Sequence, residues 1–561
     1  MRTAAEELVA ILSDEGVSHL FVNPGMYTAP LRQALGEAGA KGVPHPEAVL
    51  CVHEHIAVCA AHGHHLAGGG PQAVMVHVES GELSLSGAVK NAQRDRIPMA
   101  LFVGDSAECR TLLTPLAGLR HPSSPTLINS IGKWGADLSE EGDVGTLTRR
   151  AFQIARTPPA GLTHLALPVD RLRQPAGFAS RRLPPPRLPA PDIAALEDVA
   201  ELLASAEWPL IIAGRVGRNI ESVHHLARLA ETLGAPVIDV RNHVNLPRSH
   251  PLNAGLDGRE LFDRADAVLL LDVETPCVPV LGPPPAQAWL LQIDTDCLKA
   301  DVPGWTYPIE VAVTADTQSA LPPLLALLNN RLGGRHRRLH DRRKRVEKEL
   351  RALRESWRDR AAGGAPADRS DAVLAELQRC LPEDAVIVEE VIPGLRGPHR
   401  QLDRLPGHLF RTNAQSPGWA LGAALGARLA RPSQPVVAIC DETAFVAGLP
   451  TAAFWSAHRG GAPFLTVVLD QGRLRAPRPT REPQLDVASV ARDSGAEAIV
   501  IDRARAVAEA VERLLATTRD GDCAVLDVQL PVGAAEEPYV RPNRRRAGLT
   551  TGSTVTKRQL A

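Results

Sequence analysis

The chain has 561 residues, of which 44% are hydrophobic and 3% aromatic, and its formal net charge is −2 at pH 7. A chain of this length is too long to fold around one hydrophobic core, so three or four domains are predicted. The near-neutral charge argues against nucleic acid or an anionic membrane as a partner.

The N-terminal residues, the apolar runs and the cysteines predict a cytoplasmic protein. Residues 1–8 include Glu6 and Glu7 and lack the apolar stretch of a signal peptide. No uncharged apolar run approaches the ~20 residues that span a bilayer. The eight cysteines are scattered without a CxxC pair, which is typical of reduced thiols.

The first α/β domain is predicted over residues 1–178. Residues 4–15 have apolar side chains at helical spacing, and 19–22 form a short buried strand that ends at a turn. The runs 73–78 and 99–103 are apolar almost throughout, without the alternation of a half-exposed strand. Such runs predict parallel strands that are buried on both faces, and the run 162–167 closes this segment.

Two further α/β units follow. The proline-rich segment 181–191 is a predicted linker, because five prolines sustain neither helix nor sheet. A central domain is predicted over 192–330, a third over 366–534 and a basic tail over 535–561. Between the last two domains, the Arg-rich stretch 335–345 predicts a solvated linker helix. The predicted strands are 209–213, 236–240, 267–271, 289–293, 385–388, 435–439, 464–469 and 524–528.

Strands that alternate with helices through three successive blocks predict three doubly wound parallel-sheet domains. Ligands bind such sheets at the carboxyl ends of the strands. In the third block, Asp441 and Asp470 each close an apolar run. A hard cation prefers oxygen ligands of this kind and is suited to hold a diphosphate. The sequence therefore predicts a cation site at this edge.

The two acidic strand ends resemble the metal-diphosphate motif of thiamine diphosphate (ThDP) enzymes. Here 27 residues separate Glu442 from Asp470. The family has Gly-Asp-Gly and Asn-Asn at these places, so Cys440, Glu442 and Asp470 depart from its pattern. The resemblance implies Mg²⁺ ligands from Asp441, Asp470 and the Gly472 carbonyl. It also implies that the cofactor contacts Cys440, Asp441, Glu442, Thr443 and Gln471.

The N-terminal block is similar to the pyrimidine-binding domain of the same family, which includes acetolactate synthase and benzoylformate decarboxylase. The similarity covers the turn Asn23-Pro24-Gly25, the start of a helix at Glu54 and the strand end at His77. It implies that Glu54 hydrogen-bonds N1′ of the cofactor's aminopyrimidine and that His77 moves protons near the substrate. It also implies cofactor contacts from Asn23, Pro24 and Gly25.

The segment from Asn413 to Gly426 is rich in small residues and resembles the family segment that precedes the metal motif, where small residues let a helix start close to the cofactor. The resemblance implies cofactor contacts from Pro417, Gly418 and Trp419. The family places a large apolar side chain at the position of Pro417, to bend the cofactor; proline is apolar but shorter. Met26 stands where benzoylformate decarboxylase has a serine, and a thioether cannot replace the hydroxyl's hydrogen bond.

The resemblance implies a ThDP- and Mg²⁺-dependent 2-oxo acid decarboxylase or carboligase, similar to acetolactate synthase. The expected substrate is a small 2-oxo acid, with an aldehyde or ketone as a candidate acceptor. The expected assembly is a homodimer or homotetramer with the active site between subunits, without a nucleic-acid or membrane partner.

Other interpretations remain open from the residues alone. The departures at Pro417, Cys440, Glu442 and Asp470 favour a degenerate family member that acts as a scaffold or a repurposed enzyme. Five histidines between residues 53 and 65 suggest a zinc hydrolase, although they contain no HExxH sequence. In the central block, the glycine pair at 214 and 217 is a weak nucleotide-binding signal, and FAD is not expected.

Overall fold

The architecture is known from a computed structural model of the chain. The ranges that it describes are 2–77, 79–105, 126–138, 143–177, 181–240, 243–276, 282–302, 304–333, 336–363, 369–391, 397–412, 416–472 and 485–531. The predicted tail, 535–561, lies outside these residues.

The first domain is a six-stranded parallel sheet with helices on both faces. Its strands are β1 (His19–Val22), β2 (Glu47–Leu50), β3 (Gln72–Val76), β4 (Met99–Asp105), β5 (Trp134–Asp137) and β6 (Leu162–Pro168). They pair in the order β2-β1-β3-β4-β6-β5. The helices are α1 (Ala4–Asp14), α2 (Ala29–Ala40), α3 (Glu54–Gly68), α4 (Glu79–Arg94), α5 (Thr126–Ile131), α6 (Val144–Arg156) and α7 (Val169–Arg173).

The central domain has a five-stranded parallel sheet and its own apolar core. Its strands are β7 (Pro209–Ala213), β8 (Val237–Asp239), β9 (Ala267–Leu271), β10 (Trp289–Asp294) and β11 (Ile309–Thr314). They pair in the order β11-β10-β9-β7-β8. The helices are α8 (Ile193–Ser205), α9 (Ile220–Leu233), α10 (Arg259–Asp263), α11 (Thr317–Leu332) and α12 (His336–Ala362).

The third domain repeats the strand order of the first. Its strands are β12 (Val386–Glu390), β13 (Leu409–Arg411), β14 (Val436–Asp441), β15 (Leu465–Asp470), β16 (Glu497–Ile501) and β17 (Ala524–Gln529). They pair in the order β13-β12-β14-β15-β17-β16. The helices are α13 (Arg369–Cys380), α14 (Gly397–Gln401), α15 (Trp419–Ala430), α16 (Glu442–Ala447), α17 (Pro450–Arg459), α18 (Val487–Asp493) and α19 (Val507–Asp520).

The prediction of three doubly wound parallel sheets is confirmed. In each sheet the chain reverses its direction of winding beside the first strand, between β1 and β3, between β7 and β9, and between β12 and β14. A crevice forms at the carboxyl ends of such a strand pair, and ligands of open α/β sheets bind there. The fold therefore offers three candidate sites, two of which have the same strand order.

The Arg-rich stretch is helical, as expected, but α12 is not a solvated linker. The guanidinium of Arg342 is buried and donates to the Ala206 carbonyl at 2.8 Å and to the Leu233 carbonyl. Trp357 is also buried, and its indole N–H donates to Asp257 at 2.9 Å. One face of α12 therefore packs against the rest of the protein, and the Arg342 guanidinium binds carbonyls at the C-terminal ends of α8 and α9.

The first and third domains share one apolar core through the helices α3 and α15. The helices run in parallel, because His55 contacts Gly418 near their starts and Arg431 contacts Ala67 near their ends. A Cβ atom added to Gly426 would lie 1.8 Å from the Ala60 carbonyl oxygen. The small residues therefore allow two helix backbones to touch, a role that differs from the expected approach to the cofactor.

Substitution of Gly426 by alanine is expected to destabilise the protein, because the new methyl group would collide with a helix backbone. Overpacking of this kind costs about 1–3 kcal/mol. Gly36 is the matched control, since it lies in α2 and a Cβ there would meet nothing within 4 Å. Gly36→Ala should stabilise by about 0.5–1 kcal/mol through helix propensity. Urea unfolding of both variants measures the two changes in the free energy of unfolding, which should have opposite signs. Equal effects would contradict the close contact between the two helices.

Of the helices in the described ranges, none combines the length and apolar character that crossing a bilayer requires.

Candidate active site

The crevice of the first sheet is formed by the turn after β1 and by His77 after β3. Asn23 is buried, and its amide donates to the Cys51 carbonyl at 3.2 Å, which ties the turn to the segment before α3. Pro24 is exposed. A Cβ on Gly25 would lie 2.0 Å from the ring of His77. Glycine is therefore required at position 25 for the imidazole to lie against the turn.

The imidazole of His77 is oriented by Tyr27, two residues after the turn. The backbone N–H of Tyr27 donates to Nδ1 at 3.3 Å, and the two rings lie 5.1 Å apart. Burial lowers the pKa of His77, while the negative charge of Glu54 acts in the opposite direction. Because Nδ1 accepts a hydrogen bond, the neutral ring has its proton on Nε2. His77 can therefore donate a hydrogen bond to a ligand through Nε2–H.

Glu54 is the first residue of α3, and His53 is the N-cap. The His53 ring accepts from the backbone N–H of His55 at 3.1 Å, and it lies 3.7 Å from the Glu54 carboxylate. The Glu54 side chain is 16% exposed. It is thus largely removed from water but open to a ligand, which suits a carboxyl that shares a proton.

The start of α15 lies close to the start of α3. Pro417 is exposed, whereas Gly418 is buried and adopts a φ of 102°. A Cβ on Gly418 would lie 2.4 Å from the Ala447 carbonyl oxygen. The indole of Trp419 is buried, with its ring 5.2 Å from that of His62. Pro417 is therefore accessible to a ligand. The buried side chain of Trp419 is not, so only its backbone could contact one.

Glu390, at the end of β12, is a site residue that the sequence analysis missed. It is buried, and its carboxylate accepts from the backbone N–H groups of Gly418 at 2.9 Å and Ala420 at 2.7 Å. It thus caps α15, because Gly418 has no side chain for that role. Burial raises the pKa of Glu390 to about 8, against the lowering effect of these N–H groups.

The two acidic residues of the metal motif end neighbouring strands. Asp441 pairs with Leu469, so Asp470 lies one residue further along β15. Parallel strands are about 4.8 Å apart, which places both carboxylates at one edge. One oxygen of Asp441 accepts from Ala444 N–H at 2.9 Å, and one oxygen of Asp470 accepts from Gly472 N–H at 2.7 Å. The loops are thereby held in place.

Glu442, which directly follows Asp441, is also buried. It is 1% exposed, and its carboxylate accepts from the backbone N–H of Gln471 at 3.3 Å. The Glu442 side chain therefore points toward the loop that follows β15, which belongs to the metal motif. The Cys440 thiol is also buried, and burial raises its pKa well above the usual value. Thr443 is exposed at the first turn of α16.

The donors at this edge fit a cation shared with a diphosphate. Two carboxylates and the Gly472 carbonyl supply three oxygens, and Mg²⁺ takes its other ligands from phosphates and water. In the described ranges, no three His, Cys, Asp or Glu side chains are grouped to hold a metal by themselves. The side-chain amide nitrogen of Gln471, unlike its backbone N–H, is buried without a hydrogen-bond partner in the described residues. That free donor suits a ligand oxygen.

The histidines of α3 and its N-cap contact different groups, so they do not form a metal cluster. His62 lies 3.2 Å from Asp95, and His65 contacts the Gly70 carbonyl at 2.7 Å. His64 lies 3.1 Å from the ring nitrogen of His19. The geometry gives no support to the zinc hydrolase interpretation.

Stability is expected to fall between pH 6.5 and 4 in part because of His64, which is buried. Burial lowers its pKa to about 4. Below pH 6.5 the unfolded chain gains a proton that the folded chain takes up only near pH 4, so folding weakens by up to about 3 kcal/mol. His64→Gln should flatten the urea-derived free energy of unfolding over this range. An unchanged slope would contradict this assignment.

The two glycines of the central crevice are used for packing. A Cβ on Gly214 would lie 2.2 Å from the Asp272 carbonyl oxygen, and one on Gly217 would lie 2.3 Å from that of Val244. Backbone contacts within the protein therefore explain both residues without a nucleotide.

Comparison with known proteins identifies the class. Models of the thiamine pyrophosphate enzyme family match the chain in order: the N-terminal TPP binding domain over 2–118, the central domain over 196–324 and the C-terminal TPP binding domain over 398–528. The chain belongs to this family. Thiamine pyrophosphate is another name for ThDP, and the protein is a ThDP-dependent enzyme.

Individual relatives are distant but match over most of their length. The benzoylformate decarboxylase of Pseudomonas aeruginosa is 26% identical, over 92% of this chain and 98% of that protein. The sulfoacetaldehyde acetyltransferase of Rhodobacter capsulatus is 26% identical, over 83% and 81%. A ThDP-dependent 4-hydroxybenzoylformate decarboxylase of Rhodococcus jostii has a TM-score of 0.75 at 19% identity, covering 95% of this chain and 100% of that chain. This last likeness shows the shared fold.

Proposed function

We propose that the protein is a ThDP- and Mg²⁺-dependent 2-oxo acid decarboxylase or carboligase. One observation is central to this proposal. At the edge of the third sheet, Asp441 and Asp470 end neighbouring strands beside the buried side-chain amide of Gln471, and these groups fit a cation that is shared with a diphosphate. The names of the two sequence relatives, a decarboxylase and an acetyltransferase, support reactions at a carbon beside a carbonyl.

Each group has a role that follows from its position. Asp441, Asp470 and the Gly472 carbonyl would hold the cation, and the buried Gln471 amide would donate to a phosphate oxygen. Glu54 would share a proton with the aminopyrimidine. ThDP, when bound, supplies a thiazolium that stabilises negative charge at the carbon of a substrate carbonyl. His77 would hydrogen-bond the substrate through Nε2–H, and its imidazolium form would deliver a proton to the substrate.

The assembly proposed is a homodimer or homotetramer in the cytoplasm, with the active site between subunits. Large exposed apolar side chains support it, because exposed apolar surface marks contact regions. Met26 is 68% exposed, Val52 45% and Trp455 45%. Sedimentation of the purified protein at micromolar concentration tests the assembly, and a monomer would contradict it.

The function is tested first by calorimetric titration of ThDP in the presence and absence of Mg²⁺. Mg²⁺-dependent binding is expected. The loaded protein is then supplied with a series of 2-oxo acids, and the release of CO₂ is measured. Binding with CO₂ release from at least one acid supports the proposal. Binding that does not depend on a divalent cation contradicts the metal assignment.

A repurposed enzyme of this family is the second candidate, because Glu442 adds a buried carboxylate to the motif. A negative group a few ångströms from a phosphate costs about 1–4 kcal/mol, or up to roughly a thousand-fold in affinity. If Glu442 opposes the diphosphate, Glu442→Gly should tighten ThDP binding, and Glu442→Gln should do so in part. Tight wild-type binding that neither variant changes would refute this repulsion and favour the catalytic proposal.

A further inference from the structure

Three polar side chains come together at the start of β1. His19 is the first residue of this strand, Ser18 precedes it, and His64 reaches them from the last turns of α3. The His64 Nε2 atom lies 3.1 Å from His19 Nδ1. The Ser18 hydroxyl oxygen lies 2.9 Å from the same Nδ1 atom and 3.4 Å from His64 Nε2. Three atoms that can each offer a lone pair therefore form one triangle.

Hydrogen bonds alone cannot satisfy all three contacts of this triangle. Each nitrogen of a neutral imidazole offers a single site, which is either a proton or a lone pair. If the two rings bond each other, neither nitrogen is left for Ser18. If both rings bond Ser18, the contact between the two nitrogens has no proton of its own. A cation that accepts a lone pair from each atom removes this conflict.

Burial keeps both rings in the neutral form that binds a metal ion. It lowers the pKa of His19, and it lowers the pKa of His64 to about 4. Metal ligation requires a neutral histidine, so neither ring has to lose a proton near pH 7. Imidazole nitrogens suit Zn²⁺ and related transition metals, whereas Mg²⁺ prefers oxygen ligands. The chemistry of this triangle therefore differs from that of the acidic edge of the third sheet.

The spacing of the atoms fits a tetrahedral ion. Zn–N bonds of about 2.0–2.1 Å place two ligands of a tetrahedron about 3.3 Å apart. The nitrogens of His19 and His64 are 3.1 Å apart. The Glu47 carboxylate lies 3.9 Å from the other ring nitrogen of His19, and its side chain is 75% exposed. Histidines that bind a metal usually donate their second N–H to a group such as this carboxylate.

We propose that Ser18, His19 and His64 form a binding site for one divalent transition-metal ion, for which Zn²⁺ is the best match. The two imidazoles supply nitrogen ligands, and the Ser18 hydroxyl and water complete the tetrahedron. Ser18 is exposed, so the ion can enter from solvent. The site lies at the opposite ends of β1 and α3 from Asn23 and Glu54. The ion would therefore tie the strand to the helix, as a structural ion that is separate from the proposed reaction.

Moderate affinity is expected, because binding fixes the tautomer of His64. Ligation through Nε2 places the ring proton on Nδ1, which is buried and has no hydrogen-bond partner among the described residues. A buried donor without a partner costs about 1–3 kcal/mol, or roughly five- to hundredfold in affinity. We therefore expect a Kd for Zn²⁺ in the micromolar range.

The test is a calorimetric titration of Zn²⁺ into the full chain, with ThDP and excess Mg²⁺ present. His19→Gln and His64→Gln each remove one nitrogen ligand, and a double variant removes both. His45→Gln is the matched control, because His45 is an exposed histidine of the same domain whose ring contacts the Val43 carbonyl. Urea unfolding of each protein, with and without Zn²⁺, provides the second measurement.

We expect Zn²⁺ to bind the wild type and His45→Gln equally and to raise the urea midpoint of both, because a ligand of the folded state stabilises it. Each single variant should lose about tenfold or more in affinity for Zn²⁺, together with the shift in midpoint. The double variant should lose little more than the single variants, because the two rings share one ion. The two substitutions lie on different elements, so if one variant fails to fold, the other still decides the result.

Wild-type affinity for Zn²⁺ in His19→Gln or in His64→Gln would overturn the proposed site. Losses that add in the double variant would do the same, because they would indicate two separate ions. A wild type whose urea midpoint does not respond to Zn²⁺ would also contradict it. The comparison between variants does not depend on whether the protein binds ThDP.

Discussion

Glu54→Gln is expected to lower ThDP-dependent turnover by ~10²–10⁴-fold, the usual contribution of a positioned acid or base. Glutamine keeps the size of the side chain but cannot share a proton with the aminopyrimidine. Because Glu54 is 16% exposed and lies at the start of a capped helix, the fold should be retained. Steady-state kinetics with saturating ThDP and Mg²⁺ measure the loss, and circular dichroism checks the fold.

Glu47→Gln is the control for this change. Glu47 lies at the start of β2, and its side chain is 75% exposed. The same substitution there removes a carboxylate from the surface and should leave turnover unchanged. Wild-type turnover in Glu54→Gln, with ThDP bound, would refute the assignment of the proton-sharing carboxyl.

Removal of Asp441 should have the largest effect on cofactor binding. Its carboxylate has two roles, as a proposed ligand of Mg²⁺ and as the N-cap of α16. Asp441→Asn keeps an oxygen for the cap and loses the charge, whereas Asp441→Ala loses both. We expect the Mg²⁺-dependent affinity for ThDP to fall by ~100-fold or more in both variants, because both lose the charged ligand of the cation. Each factor of ten in affinity corresponds to about 1.4 kcal/mol. Only Asp441→Ala should also lose about 1 kcal/mol of folding stability.

Calorimetry with ThDP and Mg²⁺ measures the first effect, and urea unfolding measures the second. Asp486→Ala is the matched control, because Asp486 caps α18 through the N–H groups of Ala488 and Ser489 and lies outside the motif. It should lose stability without loss of cofactor affinity. Unchanged affinity in Asp441→Asn would place the cation elsewhere.

The interior of the fold was predictable because central strands are buried on both faces. The predicted strands at 209–213 and 267–271 coincide with β7 and β9. The missed strands all lie at sheet edges, where one side is solvated and the apolar run is short or alternating. In β11, for example, Glu310 and Ala312 are more exposed than Val313. The strands missed in this way are β2, β5, β11, β13 and β16.

The arrangement of the candidate site was only partly predictable. Asp441 and Asp470 could be found because an acidic residue follows an apolar run, and Glu390 follows the same rule at the end of β12. The hydrogen bond between His55 and the Gly418 carbonyl joins residues that are 363 positions apart, which no local pattern shows. The direction of Glu442 also depends on the tertiary structure, because a carboxylate at a helix start can turn to either side.

The parallel arrangement of α3 and α15 has an electrostatic consequence. Each helix presents about half a positive charge at its N-terminus through its macrodipole. Because the two helices start side by side, these partial charges add at the end where Glu54 and Glu390 lie. An antiparallel pair would cancel them. The helix pair therefore makes the electrostatic potential beside Glu54 less negative, and it would favour the approach of the anionic 2-oxo acid of the proposed reaction.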